Sequence, residues 1–236
     1  MRIVSYNVHA CVGRDGRFMP DRIADIVEPL EADFLALQEV EDRSVAGTTV
    51  SEFLGARLGM HAYRGVTLRR QDADYGNLVL SKHAARVSVL HDISVRGGEP
   101  RGCIEVDVDI DNLHVRLFAT HLGLRVRERL QQVERLAPAL RRDDADLRIL
   151  AGDINEWRPA GRALRALHEI FEPAPRRRTF PSHLPTIALD RILVVWQDGR
   201  YKVINPPEKL FVDQDVQYCA VADRDRVFVL VYKDED

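Results

Sequence analysis

The chain has 236 residues, 45% hydrophobic and 30% charged, which suits one large or two small globular domains with an ample core. Its formal net charge of −3 provides no global basic field, which weakens a general nucleic-acid-binding reading. Three widely spaced cysteines, Cys11, Cys103 and Cys219, read as reduced thiols rather than a disulfide framework. The N-terminus enters a strand-like stretch, Arg2 to Val8, without the charged and apolar regions of a signal peptide. No apolar run approaches the roughly 18 residues of a spanning helix. The expectation is a cytoplasmic protein with no transmembrane segment, whose only membrane contact would be peripheral.

In chain order, a strand at 2–8 is followed by a helix at 20–31. This helix opens on Pro20-Asp21, carries Ile23, Ile26, Val27 and Leu30 on one side, and is cut short by Pro29. A strand at 33–38 and a short helix at 49–59 come next. Strands then follow at 61–67, 76–81, 86–94, 102–110 and 113–120, rich in Val, Ile and Leu and bounded by Gly, Asp and Pro. The segment 125–142 places Val126, Leu130, Val133, Leu136, Ala137 and Leu140 at spacings of three and four, an apolar stripe that should cover a sheet face. A strand at 147–152 and a short helix at 160–170 precede a loop at 173–186, where Arg176-Arg177-Arg178 reads as a solvated charge run. Strands at 189–195, 201–205 and 226–232 complete the chain. So many strands with four helices and no evident linker predict one domain over 1–236, with two packed sheets and helices on their outer faces.

Polar residues close the apolar runs in a recurring way: Asn7, Glu39, His121, Asp153 with Asn155, Asp190 and Asp223. The strongest local signal is Arg148-Ile149-Leu150-Ala151-Gly152-Asp153-Ile154-Asn155. There an apolar strand delivers a glycine that permits close backbone approach, then an acid and an amide two residues apart. Such a pair can orient or deprotonate water while the amide holds a phosphate oxygen. His121 precedes a glycine and a helix start, where a phosphate can be bound. An oxygen-rich Glu, Asn and Asp set without clustered Cys or His favours Mg²⁺ or Mn²⁺ over zinc.

Six motifs carry a family resemblance: Ser5-Tyr6-Asn7, Gln38-Glu39-Val40, Gly76-Asn77-Leu78-Val79-Leu80-Ser81, Thr120-His121-Leu122-Gly123, Gly152-Asp153-Ile154-Asn155 and Leu189-Asp190-Arg191-Ile192. In this order the chain resembles the endonuclease/exonuclease/phosphatase superfamily over nearly its whole length. Within it, Cys11 to Phe18 and Thr179-Phe180-Pro181 are most similar to small bacterial members associated with phospholipid (cardiolipin) synthesis genes. The resemblance implies a DNase I-like α/β fold, a four-layer sandwich of two packed mixed sheets flanked by helices, and divalent-metal-dependent cleavage of phosphoester bonds. It further implies Glu39 as the main metal ligand with Asn7 beside it and Asp223 in the same set. Asp153 would orient or activate water, Asn155 and His121 would contact the phosphate, and Asp190 would orient a histidine. Asn77 and Arg101 would lie on the substrate.

The chain departs from that pattern at its C-terminus. The superfamily usually closes on Ser-Asp-His, whereas this chain reads Ala222-Asp223-Arg224. Arginine stays charged and does not exchange a proton near neutrality, but it binds phosphate bidentately. Arg224 is therefore expected to clamp phosphate without general acid–base work, which in other enzymes contributes roughly 10²–10⁴-fold. Three functions follow in order: a hydrolase of a small or lipid-derived phosphoester, impaired unless Arg224 replaces the charge-stabilising effect of the histidine; a non-catalytic binder of an anionic partner; and a DNA or RNA nuclease. The head group would be chosen by loops 11–18, 41–50, 65–75 and 171–186.

Overall fold

A computed structural model describes residues 1–13, 15–172 and 188–196. The expected strands at 201–205 and 226–232, the loop arginines, Cys219, Asp223 and Arg224 lie outside the described residues. Eleven strands are described: β1 (Ile3–Asn7), β2 (Phe34–Glu41), β3 (Ser44–Val45), β4 (Thr48–Thr49), β5 (His61–Leu68), β6 (Tyr75–Ser81), β7 (Val87–Asp92), β8 (Gly102–Ile110), β9 (Leu113–His121), β10 (Leu147–Asp153) and β11 (Asp190–Trp196). Four helices accompany them: α1 (Pro20–Val27), α2 (Val50–Leu58), α3 (Val126–Leu140) and α4 (Arg162–His168). None is long and apolar enough to cross a membrane.

Both large sheets are mixed. The first has the order β1-β2-β6-β5, with β1 and β2 parallel and the rest antiparallel. The second has the order β11-β10-β9-β8-β7, with β9 and β10 parallel and the other pairs antiparallel. Alternate residues of each strand serve different cores, because side chains on a strand point to opposite faces. Ile3, Phe34, Ala36 and Val79 of the first sheet meet Ile104, Val106, Leu117, Ala119, Ile149 and Ala151 of the second, forming the core between the sheets. Their neighbours Val4, Tyr6, Leu35, Leu37 and Leu80 pack under α1 and α2. Phe118, Leu150 and Leu193 pack under α3 and α4 with Val133, Leu136, Ala163 and Leu167. Four layers result, and strands buried on both faces explain why β2, β9 and β10 read as nearly unbroken apolar runs.

The helix ends follow their local chemistry. Thr49 and Glu52 form a reciprocal capping box that starts α2, and Gly59 closes it with φ of 64°. Pro29 ends α1 as expected, the chain passing into a 3₁₀ turn at Glu28–Leu30. The expected strand at 33–38 runs on to Glu41, and the β3–β4 hairpin is an addition that two-residue strands leave no period to reveal.

The start of α3 does not turn its apolar residues inward: Val126 is exposed, whereas Glu128, Arg129 and Gln132 are buried. The apolar stripe holds only from Val133 through Leu136, Ala137 and Leu140. The reason lies in the turns that this end of the helix covers, whose backbone groups need polar partners.

Candidate active site

Strand direction brings the strand-end residues to one rim. The parallel pair β1 and β2 ends at Asn7 and just beyond Glu39, and the parallel pair β9 and β10 ends at His121 and Asp153. The antiparallel neighbours begin where these end: β6 with Tyr75, Gly76 and Asn77, β8 with Gly102 just after Arg101, and β11 with Asp190, which is in register with Asp153. Asn77 donates from its side-chain amide across to the Gly102 carbonyl at 3.2 Å, joining the two sheets at this rim.

Glu39 sits where the β2–β6 register shifts, between Leu37 and Val40, with φ of 57°. A non-glycine residue in the left-handed region at a bulge costs on the order of 1–3 kcal/mol, and such strain clusters at functional sites. The bulge re-aims the carboxylate. Its Oε1 accepts from the Asn7 amide at 2.9 Å, and its Oε2 lies 3.1 Å from His9 Nδ1. His9, Ala10 and Cys11 are themselves left-handed, with φ between 50° and 58°. That turn folds His9 back over Glu39, while Asn7 Oδ1 accepts the His9 backbone N–H at 3.1 Å.

His121 and Asp153 face each other, with His121 Nε2 3.6 Å from Asp153 Oδ2. Gly152 allows this approach: its φ is 139°, and a Cβ there would lie 1.9 Å from the Thr120 carbonyl oxygen. The buried Arg101 guanidinium donates to His121 Nδ1 at 2.9 Å and to Glu99 Oε2 at 3.0 Å. Because arginine only donates, Nδ1 must accept, which places the imidazole proton on Nε2. Burial, then the charges of Arg101 and His9, hold the His121 pKa well below 6.5, so the ring is neutral. Asp153 moves the other way. Burial and the Glu39 charge push its carboxyl up to about 6, against hydrogen bonds from the Asn155 backbone and the Asn7 side chain.

Asn155 has φ of 52°, donates its side-chain amide to the Leu122 carbonyl at 2.9 Å, and gives its backbone N–H to Asp153 Oδ1 at 2.9 Å. Asn7, Glu39, His121, Asp153, Arg101, Asn155, Asn77 and Asp190 therefore share one rim. Two neighbours went unnoticed in the sequence. His9 is separated from Asn7 by one residue, and its left-handed turn has no sequence mark. Tyr75 directly precedes the Gly76-Asn77 motif, and its phenol is pushed up by burial and by Glu39. Cys11 and Cys103 are buried in the core.

The rim's chemistry suits a hard divalent cation. Two carboxylates, Glu39 and Asp153, share the Asn7 amide, and Glu39 raises Asp153 by repulsion that a cation would relieve. Among the described residues no three His, Cys, Asp or Glu side chains form a closed cage. A cation held by Glu39 and Asn7 would keep several waters, as Mg²⁺ does.

The chain is similar to the uncharacterized protein YbhP of Escherichia coli K12, 30% identical over 212 residues that span 82% of this chain and 84% of that protein. Its fold is similar to that of an endonuclease/exonuclease/phosphatase family protein from Leptotrichia buccalis, with a TM-score of 0.64, 16% identity, and coverage of 81% of this chain and 86% of that one. It is also similar in fold to a mannosyl-6-phosphatase from Bacteroides thetaiotaomicron, with a TM-score of 0.60, 14% identity, and coverage of 81% and 84%. The sequence profile of the Endonuclease/Exonuclease/phosphatase family matches residues 4–208, a span that includes every rim residue from Asn7 to Asp190, and the chain belongs to that family.

Proposed function

We propose that the protein is a divalent-metal-dependent phosphoester hydrolase acting on a small or lipid-derived phosphoester. The observation that carries the reading is the gathering at one rim of Asp153, a buried carboxylate 3.6 Å from His121, with the Glu39–Asn7 pair across from it. A buried carboxylate beside a histidine is placed to take a proton from water. Asp153 orients the attacking water and accepts its proton. His121 presents its Nε2–H to a phosphate oxygen, a role that the Arg101 bond to Nδ1 keeps in the right tautomer. Arg101 adds positive charge behind the imidazole, where negative charge develops on the phosphoryl oxygens. Asn155 and Asn77 complete the phosphate contacts, and Asp190, in register with Asp153 on the adjacent strand, is the residue expected to orient Arg224, which stands where the family has a histidine.

Glu39 and Asn7 would hold Mg²⁺ or Mn²⁺, which when bound polarises the phosphate and offsets the carboxylate charge. The sequence adds Asp223 to this set and assigns Arg224 to clamping phosphate, so turnover is expected to be slow. The turns that follow His121 and Asp153 carry Leu124, 75% exposed, and Trp157, 49% exposed with Arg158 stacked at 5.2 Å. These residues suit a substrate with an apolar substituent beside its phosphate. The family includes phosphatases and phosphodiesterases; the acidic balance of this chain favours a non-nucleic-acid substrate among them.

Purified protein with Mn²⁺ or Mg²⁺ is expected to hydrolyse bis-p-nitrophenyl phosphate, and Asp153→Asn to remove that activity. Equal rates for the two proteins would refute the reading. A panel of phosphorylated metabolites and lysophospholipids then identifies the head group.

A further inference from the structure

The start of α3 buries charge where an amphipathic helix would bury leucine. Arg129 lies under the turn that follows His121, donating from Nη1 to the Gly123 carbonyl at 3.2 Å and the Leu124 carbonyl at 2.6 Å. Its Nη2 donates to Glu156 Oε2 at 3.2 Å. Glu156 is fully buried and belongs to the turn that follows Asp153 and Asn155. It also accepts the Arg158 backbone N–H through Oε1. One helix turn further on, the buried Gln132 accepts the Gly123 N–H at 2.8 Å. A Cβ on Gly161 would fall 2.1 Å from Glu156 Cδ, so this glycine makes room for the buried carboxylate.

We propose that Arg129 and Glu156 are positioning residues that tie the two turns together, with α3 as the fixed support, and so set the spacing between His121 Nε2 and Asp153 Oδ2. The inference rests on the hydrolytic reading of the rim for its kinetic consequences only. A buried ion pair is poor evidence for stability, because desolvation offsets much of its attraction; its better-attested use is to specify geometry. Here it closes a loop of contacts. The Asn155 amide bonds the Leu122 carbonyl directly, Leu122 N–H bonds the Asp153 carbonyl, and the Arg129–Glu156 pair joins the same two turns one residue further along. Without the pair, the two turns keep only the Asn155–Leu122 and Leu122–Asp153 bonds to each other, while Gln132 still holds the first turn and Arg191 the second. Glu39 and Asn7, on the opposite sheet, make no hydrogen bond or ion pair with Arg129 or Glu156.

The test uses Glu156→Gln, Arg129→Lys and Glu156→Ala in the full chain. Misplacing reacting groups by about 1 Å costs on the order of 10²-fold. We expect kcat with bis-p-nitrophenyl phosphate to fall roughly 10–100-fold in Glu156→Ala, with KM and the Mn²⁺-induced melting shift unchanged. Glu156→Gln, which keeps the volume and an acceptor, should recover part of the rate. The ¹⁵N resonances of the His121 imidazole should move in each variant, a readout independent of turnover. Wild-type kcat measured where the variants are fully folded, or unmoved His121 resonances, would overturn the proposal. If Glu156→Ala fails to fold, Glu156→Gln and Arg129→Lys carry the same comparison. An inactive wild-type protein would instead refute the hydrolytic reading and leave the resonance comparison to decide the clamp.

Discussion

Asp153→Asn should make the metal-free protein more stable while removing its activity. The folded protein pushes the Asp153 carboxyl from 3.8 to about 6. A carboxyl whose folded pKa lies above its unfolded value binds its proton more tightly in the native state. It therefore turns against folding as pH rises from 3.8 through about 6. Roughly two units at about 1.4 kcal/mol each put the cost near 3 kcal/mol above that range. Asparagine carries no charge and keeps an acceptor for the Asn155 N–H, now bonded to Asp153 Oδ1 at 2.9 Å. For a chain of this length about 1 kcal/mol corresponds to roughly 2–4 °C, so the variant should melt on the order of 5–10 °C higher. The assay is a set of thermal melts in EDTA from pH 4 to 8. The two proteins should nearly coincide at pH 4, separate progressively between about pH 4 and 6, and hold a constant gap above pH 7. A variant that melts no higher than wild type at pH 8, or a gap that does not change with pH, would refute the electrostatic account.

Saturating Mn²⁺ should raise the melting temperature of wild type, since 100-fold excess over Kd adds about 2.7 kcal/mol. Glu39→Gln should abolish that rise, and an undiminished rise in calorimetry would remove Glu39 from the cation site. Arg116→Met should cost roughly 1–3 kcal/mol in urea unfolding at pH 7, because the buried Asp107 and Glu105 lose the guanidinium they share and keep only His114 on the one and His91 and Arg142 on the other. Burial pushes Asp107 up, but hydrogen bonds from Arg116 and His114 outweigh it and hold the carboxyl below 3.8. The stability this contributes is present above pH 3.8 and lost as pH falls below it, so the gap to Arg116→Met should narrow in acid. A gap that stays constant from pH 7 to pH 3 would contradict this. Arg224→His should raise the hydrolysis rate by restoring a group that exchanges protons near neutrality. A fall in rate would show instead that the arginine has been recruited to the phosphate.

The layer order was legible from the chain because strand and helix periods are local. Near-continuous apolar runs such as Phe34 to Leu37 and Ile149 to Ala151 announce strands covered on both faces. Their polar terminal residues announce a rim, since parallel neighbours must end at the same edge. The four-layer architecture, and most of the residues that gather at one end of it, could thus be read from the chain. Their geometry and charge state arise only once the sheets have packed. The bulge at Glu39 and the left-handed turn at His9 depend on pairing with β6 and β2, and nothing within a few residues of either encodes it. The tautomer of His121 is set by Arg101, twenty positions away, and the elevated pKa of Asp153 by burial and by Glu39 on the other sheet. The apolar stripe expected over 125–142 fails at the start of α3 for the same reason. A helical period shows which residues share a side, whereas the need for Arg129 and Gln132 to point inward comes from carbonyls and amides in a turn that the helix meets only after the chain has folded.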